Sequence, residues 1–257
     1  MTPLMMGFLG SLGAGLMTAA GALPILFGRS ISERTNDLLL GFAAGVMLAA
    51  SFFSLILPSL DASEVLYGSG WVPAAIAVVG LLLGAAMIYG VDRALPHQHF
   101  ITGREGPVSD SLQKIWLFVI AITIHNAPEG LAVGVGYGGG DVAAGTSLAI
   151  GIGLQNIPEG LAVAVALRGE RYSKATAFMI AAATGLIEPL AGLVGAAAVG
   201  VSAIALPWGL VLAAGAMIYV ISHEIIPETH RHGHQDGATG GLMIGLVVML
   251  FLDVTLG

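Results

Sequence analysis

Eight stretches of mostly apolar residues dominate this chain and leave it few ways to fold. They are Leu4–Phe27, Leu38–Leu60, Trp71–Val91, Ile115–Tyr137, Val142–Leu167, Ala175–Val199, Leu206–Ile226 and Gly240–Leu256. A helix that crosses a bilayer needs about 20 consecutive apolar residues. The long apolar run from Ala175 to Ile226 is divided at Gly200 to Pro207, where Ser202 and Pro207 mark a turn. Only 10% of the residues are charged, against about 25% in a soluble domain. The 38 glycines fit closely approaching membrane helices. The expected fold class is all-α: a polytopic membrane protein with eight transmembrane helices in a single domain.

The basic residues test that count. With the N-terminus outside, residues 28–37, 92–114, 168–174 and 227–239 become the cytoplasmic loops. All nine Lys and Arg residues fall there: Arg29, Arg34, Arg93, Arg104, Lys114, Arg168, Arg171, Lys174 and Arg231. The outer loops carry none, which is the positive-inside pattern. Both termini are then outside. The start of the chain lacks the basic region of a signal peptide, so its first apolar run is expected to remain as a helix. The net charge of −7 says little, because many acids lie inside the spans. No basic patch suggests a nucleic-acid partner. With no cysteine, there is neither a disulfide framework nor a thiolate metal site.

A motif occurs twice inside the apolar runs: His125-Asn126-Ala127-Pro128-Glu129-Gly130 and Gln155-Asn156-Ile157-Pro158-Glu159-Gly160. An ionised carboxylate at bilayer depth costs about 2.5 to over 10 kcal/mol. His125 and Glu129 are spaced i, i+4 and share a helix face, as do Gln155 and Glu159. Pro128 and Pro158 cannot donate a backbone hydrogen bond, which is expected to free the carbonyls of Ile124 and Leu154 and kink each helix. Hydrogen bonding between helices is the plainer reading for a lone Asn or Gln. It does not account for a His, two Glu and two Asn in paired motifs. Two facing carboxylates repel or share a proton unless a cation lies between them, so the pattern points to a divalent metal site in mid-membrane. A shared motif on antiparallel neighbours also implies a pseudo-two-fold axis in the membrane plane, an arrangement familiar from secondary transporters.

Other residues extend the set. Glu188, followed by Pro189, is a third acid in an apolar span, with a ligand or supporting role. Met47 lies in mid-span, where a methionine ordinarily packs. His223 and Glu224 lie near the cytoplasmic end of the seventh span and read either as a receiving site for metal or as interfacial polar residues. Asp92 and Asp253 sit at helix ends, where interface placement is the simpler account. The loop histidines His97, His99, His230, His232 and His234 are equally compatible with metal binding and with a polar loop. Imidazole with carboxylate suits first-row metals, so Zn²⁺ is expected, with Cd²⁺ as a mimic. An intramembrane metalloprotease would require His-Glu-x-x-His, but the residue after His223-Glu224-Ile225-Ile226 is Pro227. A metal exporter remains an alternative, because a site alone does not fix direction.

At these motifs the chain resembles the ZIP (Zrt/Irt-like) family of metal transporters, most closely its bacterial GufA-type branch. The resemblance covers nearly the whole chain and implies a set of expectations. The first is import of Zn²⁺ and related divalent ions into the cytoplasm across a bacterial inner membrane, the metal being substrate and no prosthetic cofactor being required. A primary site would use Met47, His125, Glu129, Gln155 and Glu159. An adjacent second ion would use Asn126, Asn156 and Glu188, with Glu129 and Glu159 bridging. His223 and Glu224 would lie on the exit path. Spans one to three would be related to spans six to eight by inversion, and the protein would form a homodimer. Some members of the family carry Asp where this chain has Asn156.

Overall fold

The computed structural model describes residues 1–28, 31–94, 97–99, 103–105, 114–230 and 233–256. Among these, eight helical segments are long and apolar enough to cross a membrane: Pro3–Ile25, Glu33–Tyr67, Trp71–Ala94, Ile115–Gly138, Val142–Gly169, Lys174–Val201, Ala205–His230 and Gln235–Leu256. They are referred to below as the first to eighth spans. Each expected span is present. The turn expected between Gly200 and Pro207 lies between Val201 and Ala205. Polar residues extend the helices beyond the apolar runs, because backbone groups near the membrane surface still gain from intrahelical pairing. The second span, for example, begins at Glu33, where the Ser32 hydroxyl accepts from Thr35 N at 3.1 Å as an N-cap.

Proline shapes the spans differently from expectation. The fourth and fifth remain helical through Pro128 and Pro158. The second and seventh instead widen into π-helical turns at Ala50–Ile56 and Ile221–Ile225, just ahead of Pro58 and Pro227. Leu57 N donates to Phe52 O and Ile226 N to Ile221 O. A π turn supplies donors that a proline withholds, which keeps backbone groups satisfied at membrane depth. The sixth span breaks outright. Pro189 offers no N–H to Gly185 O, and Glu188 N donates to that carbonyl instead at 3.2 Å. The span therefore divides into Lys174–Thr184 and Ile187–Val201, and Glu188 stands in the first turn of the second half.

Glycines set which spans lie closest. Gly41 and Gly45 face Ala238 O and Leu242 O, while Gly241 and Gly245 face Leu38 O and Phe42 O, joining the second span to the eighth. Gly84 and Gly215 face Leu212 O and Leu81 O, joining the third to the seventh. Gly130 and Gly134 lie against Glu188 O and Gly192 O, joining the fourth to the sixth. Gly21 and Gly160 lie against Ile157 O and Thr18 O, joining the first to the fifth. Small residues permit this approach in a bilayer. Exchanging one with six, two with seven, three with eight and four with five maps these four pairings onto each other. Related spans are an odd number of crossings apart and run in opposite directions, so the repeat is inverted. Ala43-Ala44-Gly45-Val46-Met47 and Ala213-Ala214-Gly215-Ala216-Met217 are its sequence trace.

Between the third and fourth spans, the expected loop contains a short antiparallel ribbon, His97–His99 against Gly103–Glu105. Its ladder pairs backbone groups that a bare loop would leave to solvent.

A Cβ at Gly45 would stand 1.9 Å from Leu242 O, a backbone atom, whereas one at Gly13 meets nothing within 4 Å. Gly45→Val is expected to destabilise the protein by about 1–3 kcal/mol. Gly13→Ala is expected to stabilise it slightly. Melting of the two purified variants in detergent, compared with the native protein, checks both.

Candidate metal centre

The fourth and fifth spans bring the two motifs face to face in the interior. Gln155 Nε2 donates to Glu129 Oε1 at 2.6 Å. Asn156 Nδ2 donates to Glu188 Oε1 at 2.8 Å and to Ala14 O at 2.9 Å. One amide thus ties the fifth span to the sixth and the first. His125 Nε2 lies 2.7 Å from Glu224 Oε1, which connects the fourth span to the π turn of the seventh. Glu129 lies within electrostatic reach of Glu159 and Glu188, and Glu159 within reach of His125 and Glu224. Glu129 and Glu188 are 0% exposed.

The centre is rich in oxygens without a donor. Asn126 Oδ1, Glu129 Oε2, Gln155 Oε1, Asn156 Oδ1, Glu159 Oε1 and Glu188 Oε2 are all buried and accept no hydrogen bond. Leaving a buried polar group unsatisfied costs about 1–3 kcal/mol, more for a charged one. A cluster of acceptors with few donors is chemically suited to a cation. Among the described residues, no three His, Cys, Asp or Glu side chains already stand as a ligating group. A metal here would draw on amide oxygens as well as on carboxylates and imidazole, and would displace some of the present hydrogen bonds.

The remaining sequence candidates divide. Met47 is buried in the second span, in the main core cluster. Glu224 reaches the centre, but His223 is half-buried with its ring 5.1 Å from that of Tyr219. Adjacent positions on a helical turn point in different directions, so Glu224 faces the centre while His223 lies toward the third span, where Tyr219 meets Tyr89. Asp253 accepts from Ser54 Oγ at 2.6 Å, linking the eighth span to the π turn of the second. His234 Nδ1 lies 2.8 Å from Asp37 Oδ2, and His230 Nδ1 lies 2.8 Å from Ile226 O. His234 therefore ties the start of the eighth span to the second, while His230 caps its own last helical turn. For His97 and His99 only the backbone is described, and His232 lies outside the described residues.

The structure adds residues that the motifs did not mark. Asp92, at the end of the third span, is buried within electrostatic reach of His125. Ala14 contributes only a carbonyl, which no motif reports. Thr18 Oγ1 is buried without a partner and would lie 2.9 Å from a Cβ at Gly185. An acid at the end of an apolar run was the available signal for Asp92.

Eight helices long and apolar enough to cross a membrane, packed around a buried, acceptor-rich centre, define a polytopic membrane protein. Comparison with known proteins identifies which kind. The ZIP zinc transporter family model matches residues 101–253. Zinc transporter ZIPB of Bordetella bronchiseptica is 50% identical over 93% of this chain and 78% of its own length. Zinc transporter GufA of Myxococcus xanthus is 43% identical over 98% and 99%, and human zinc transporter ZIP11 is 35% identical over 94% of each. The chain belongs to the ZIP family and is a multi-pass membrane protein.

Asn156→Ala removes two buried hydrogen bonds, each worth about 0.5–1.5 kcal/mol net, and leaves Glu188 Oε1 without its donor. The variant is expected to melt at a clearly lower temperature than the native protein. Asn156→Asp, which keeps the volume but not the donor, should also melt lower in the absence of metal.

Proposed function

We propose that this protein carries divalent transition-metal ions, Zn²⁺ foremost and Cd²⁺ as a mimic, across the membrane into the cytoplasm. The observation that carries the reading is the group of buried, donorless oxygens on Asn126, Glu129, Gln155, Asn156, Glu159 and Glu188 beside His125. The names of the relatives, all zinc transporters, support the same cargo.

In this proposal His125, Glu129, Gln155 and Glu159 bind the ion, with the Met47 thioether as a further ligand. A second ion uses Asn126, Asn156 and Glu188, with Glu129 and Glu159 bridging. The confinement of all nine Lys and Arg residues to four alternate loops supports an orientation with both termini outside, in a bacterial plasma membrane and as a homodimer.

The chain's own contacts suggest an order of events. A hydrated ion enters on the side of Asp253, where no basic loop repels it. Binding at the centre withdraws Glu129 Oε1 from Gln155 and His125 from Glu224. Protons held by these groups leave as metal binds, since only the deprotonated forms ligate. Glu224 already touches His125, so it is the next carboxylate an ion meets on leaving toward the cytoplasm. Asp92, buried nearby, adds negative charge on the same side. This arrangement also weighs against the metalloprotease reading, because Glu224 is paired with a histidine on another span rather than with a zinc-binding helix of its own.

The test is uptake of Zn²⁺ and Cd²⁺ into proteoliposomes. Native protein should show saturable uptake that weakens as the outside pH is lowered, because protons compete for the imidazole and carboxylates. Even indirect loss of ligand support costs 10–100-fold in metal affinity, so Glu129→Ala should lower uptake at least roughly 100-fold while remaining folded. Normal uptake by a folded Glu129→Ala protein would overturn the assignment.

A further inference from the structure

A second feature lies outside the polar centre, on the face of the molecule turned to lipid. A cleft of about 560 Å³ runs between the fourth span and the first half of the sixth, lined by Trp116, Val119, Thr123, Thr176, Met179 and Ala183 among others. It exists because the sixth span breaks at Gly185. Beyond the break, Ile187–Val201 packs tightly on the fourth span. Before it, Lys174–Thr184 leans toward the first and fifth spans and leaves the fourth uncovered. Small side chains at Ala175, Thr176 and Ala183 widen the gap. From Trp116 to Thr123 the cleft is ~10 Å deep, at 1.5 Å per helical residue.

The walls are apolar in effect. Thr123 Oγ1 donates to Val119 O and Thr184 Oγ1 to Ala181 O, while Thr176 Oγ1 pairs with Ser173 Oγ. Each hydroxyl is satisfied by its own chain and asks nothing of an occupant. The mouth is different. Trp116 meets Tyr172 edge to face at 6.4 Å, and the Arg168 guanidinium donates to Tyr172 O. Arg168, Arg171 and Lys174 belong to the same connecting stretch as Tyr172, with Glu170 as its single acid. All four charged residues are exposed. Trp and Tyr favour the level of lipid headgroups, and basic residues there attract anionic ones.

We propose that this cleft is a binding site for one anionic phospholipid, its acyl chain between Trp116 and Thr123 and its phosphate on the Arg168–Lys174 loop. An apolar slot opening into a basic, aromatic rim matches the two halves of such a molecule and no wholly polar ligand. The site touches only the half of the sixth span that precedes Glu188, so the lipid would stand beside the polar centre without entering it.

The experiment uses the full chain with Trp71→Phe and Trp208→Phe, which leaves Trp116 as the sole tryptophan. It is reconstituted in phosphatidylcholine vesicles containing either brominated phosphatidylglycerol or brominated phosphatidylcholine, and quenching of Trp116 is followed against mole fraction. Attraction per basic side chain predicts a preference for phosphatidylglycerol of roughly fivefold or more. Arg168→Gln, Arg171→Gln and Lys174→Gln combined, all at exposed positions, should bring that preference close to one. Ala183→Phe, which fills the slot, should reduce quenching by both lipids. A companion protein retaining only Trp71, at the end of the third span remote from the basic loops, should show no preference. Equal quenching of Trp116 by the two phospholipids, or a preference that survives loss of all three basic side chains, would overturn the proposal. So would equal quenching by a brominated diacylglycerol, which has no charge, and phosphatidylglycerol, which would reduce the site to an acyl-chain slot. Protection of Trp116 that rises with protein density would assign the cleft to a second copy of the chain, and would overturn it too.

Discussion

Everything in this structure answers to one cost, that of keeping carboxylates inside a bilayer. Glu129, Glu159 and Glu188 lie at a depth where water cannot solvate them, and only part of their hydrogen-bonding capacity is met by Gln155 and Asn156. The uncompensated oxygens are concentrated in one place instead of being scattered. Scattered, they would be packing faults. Together with His125 they form a volume of negative potential that a dication would satisfy in a single step. Partial satisfaction by the Gln155 and Asn156 amides holds the centre together while leaving six oxygens without a donor.

The scaffold carries that cost through backbone proximity. Reciprocal glycine contacts join the spans in four pairs and leave little room for adjustment. The inverted repeat places the fourth and fifth spans about its axis, so their motifs face one another by symmetry. Symmetry also repeats the π turns of the second and seventh spans, but the two turns have diverged in use. Glu224 of one approaches His125, whereas Ser54 of the other pairs with Asp253. The same backbone device therefore supports different polar contacts in the two halves of the repeat.

The sixth span shows how a single proline has two consequences. Pro189 deprives Gly185 of its usual donor, and the span breaks there. The break turns Glu188 toward Asn156. It also angles the preceding half away from the fourth span, opening the lipid-facing cleft beneath Trp116. Pro128 and Pro158, by contrast, leave their helices continuous, because tight packing on both sides holds the chain in register. Sequence alone ranks these prolines equally; neighbouring contacts separate them.

What the sequence determined by itself is considerable, and it is of one kind. Length and hydropathy define eight spans, because a lipid environment admits no other use for such runs. Spacing of four residues puts His125 with Glu129 and Gln155 with Glu159 on shared faces, because a helix repeats every 3.6 residues. Both are local consequences of backbone geometry and solvent. What tertiary structure alone decided is which separate spans meet. The Ala14 carbonyl receives Asn156, Glu224 rather than His223 reaches His125, and Asp92 is drawn inside. His234 turns to Asp37 and ties the eighth span to the second. These outcomes depend on the rotation of each helix about its axis and on the depth at which glycines let two backbones touch. Neither quantity is carried by any one span, since each exists only between them.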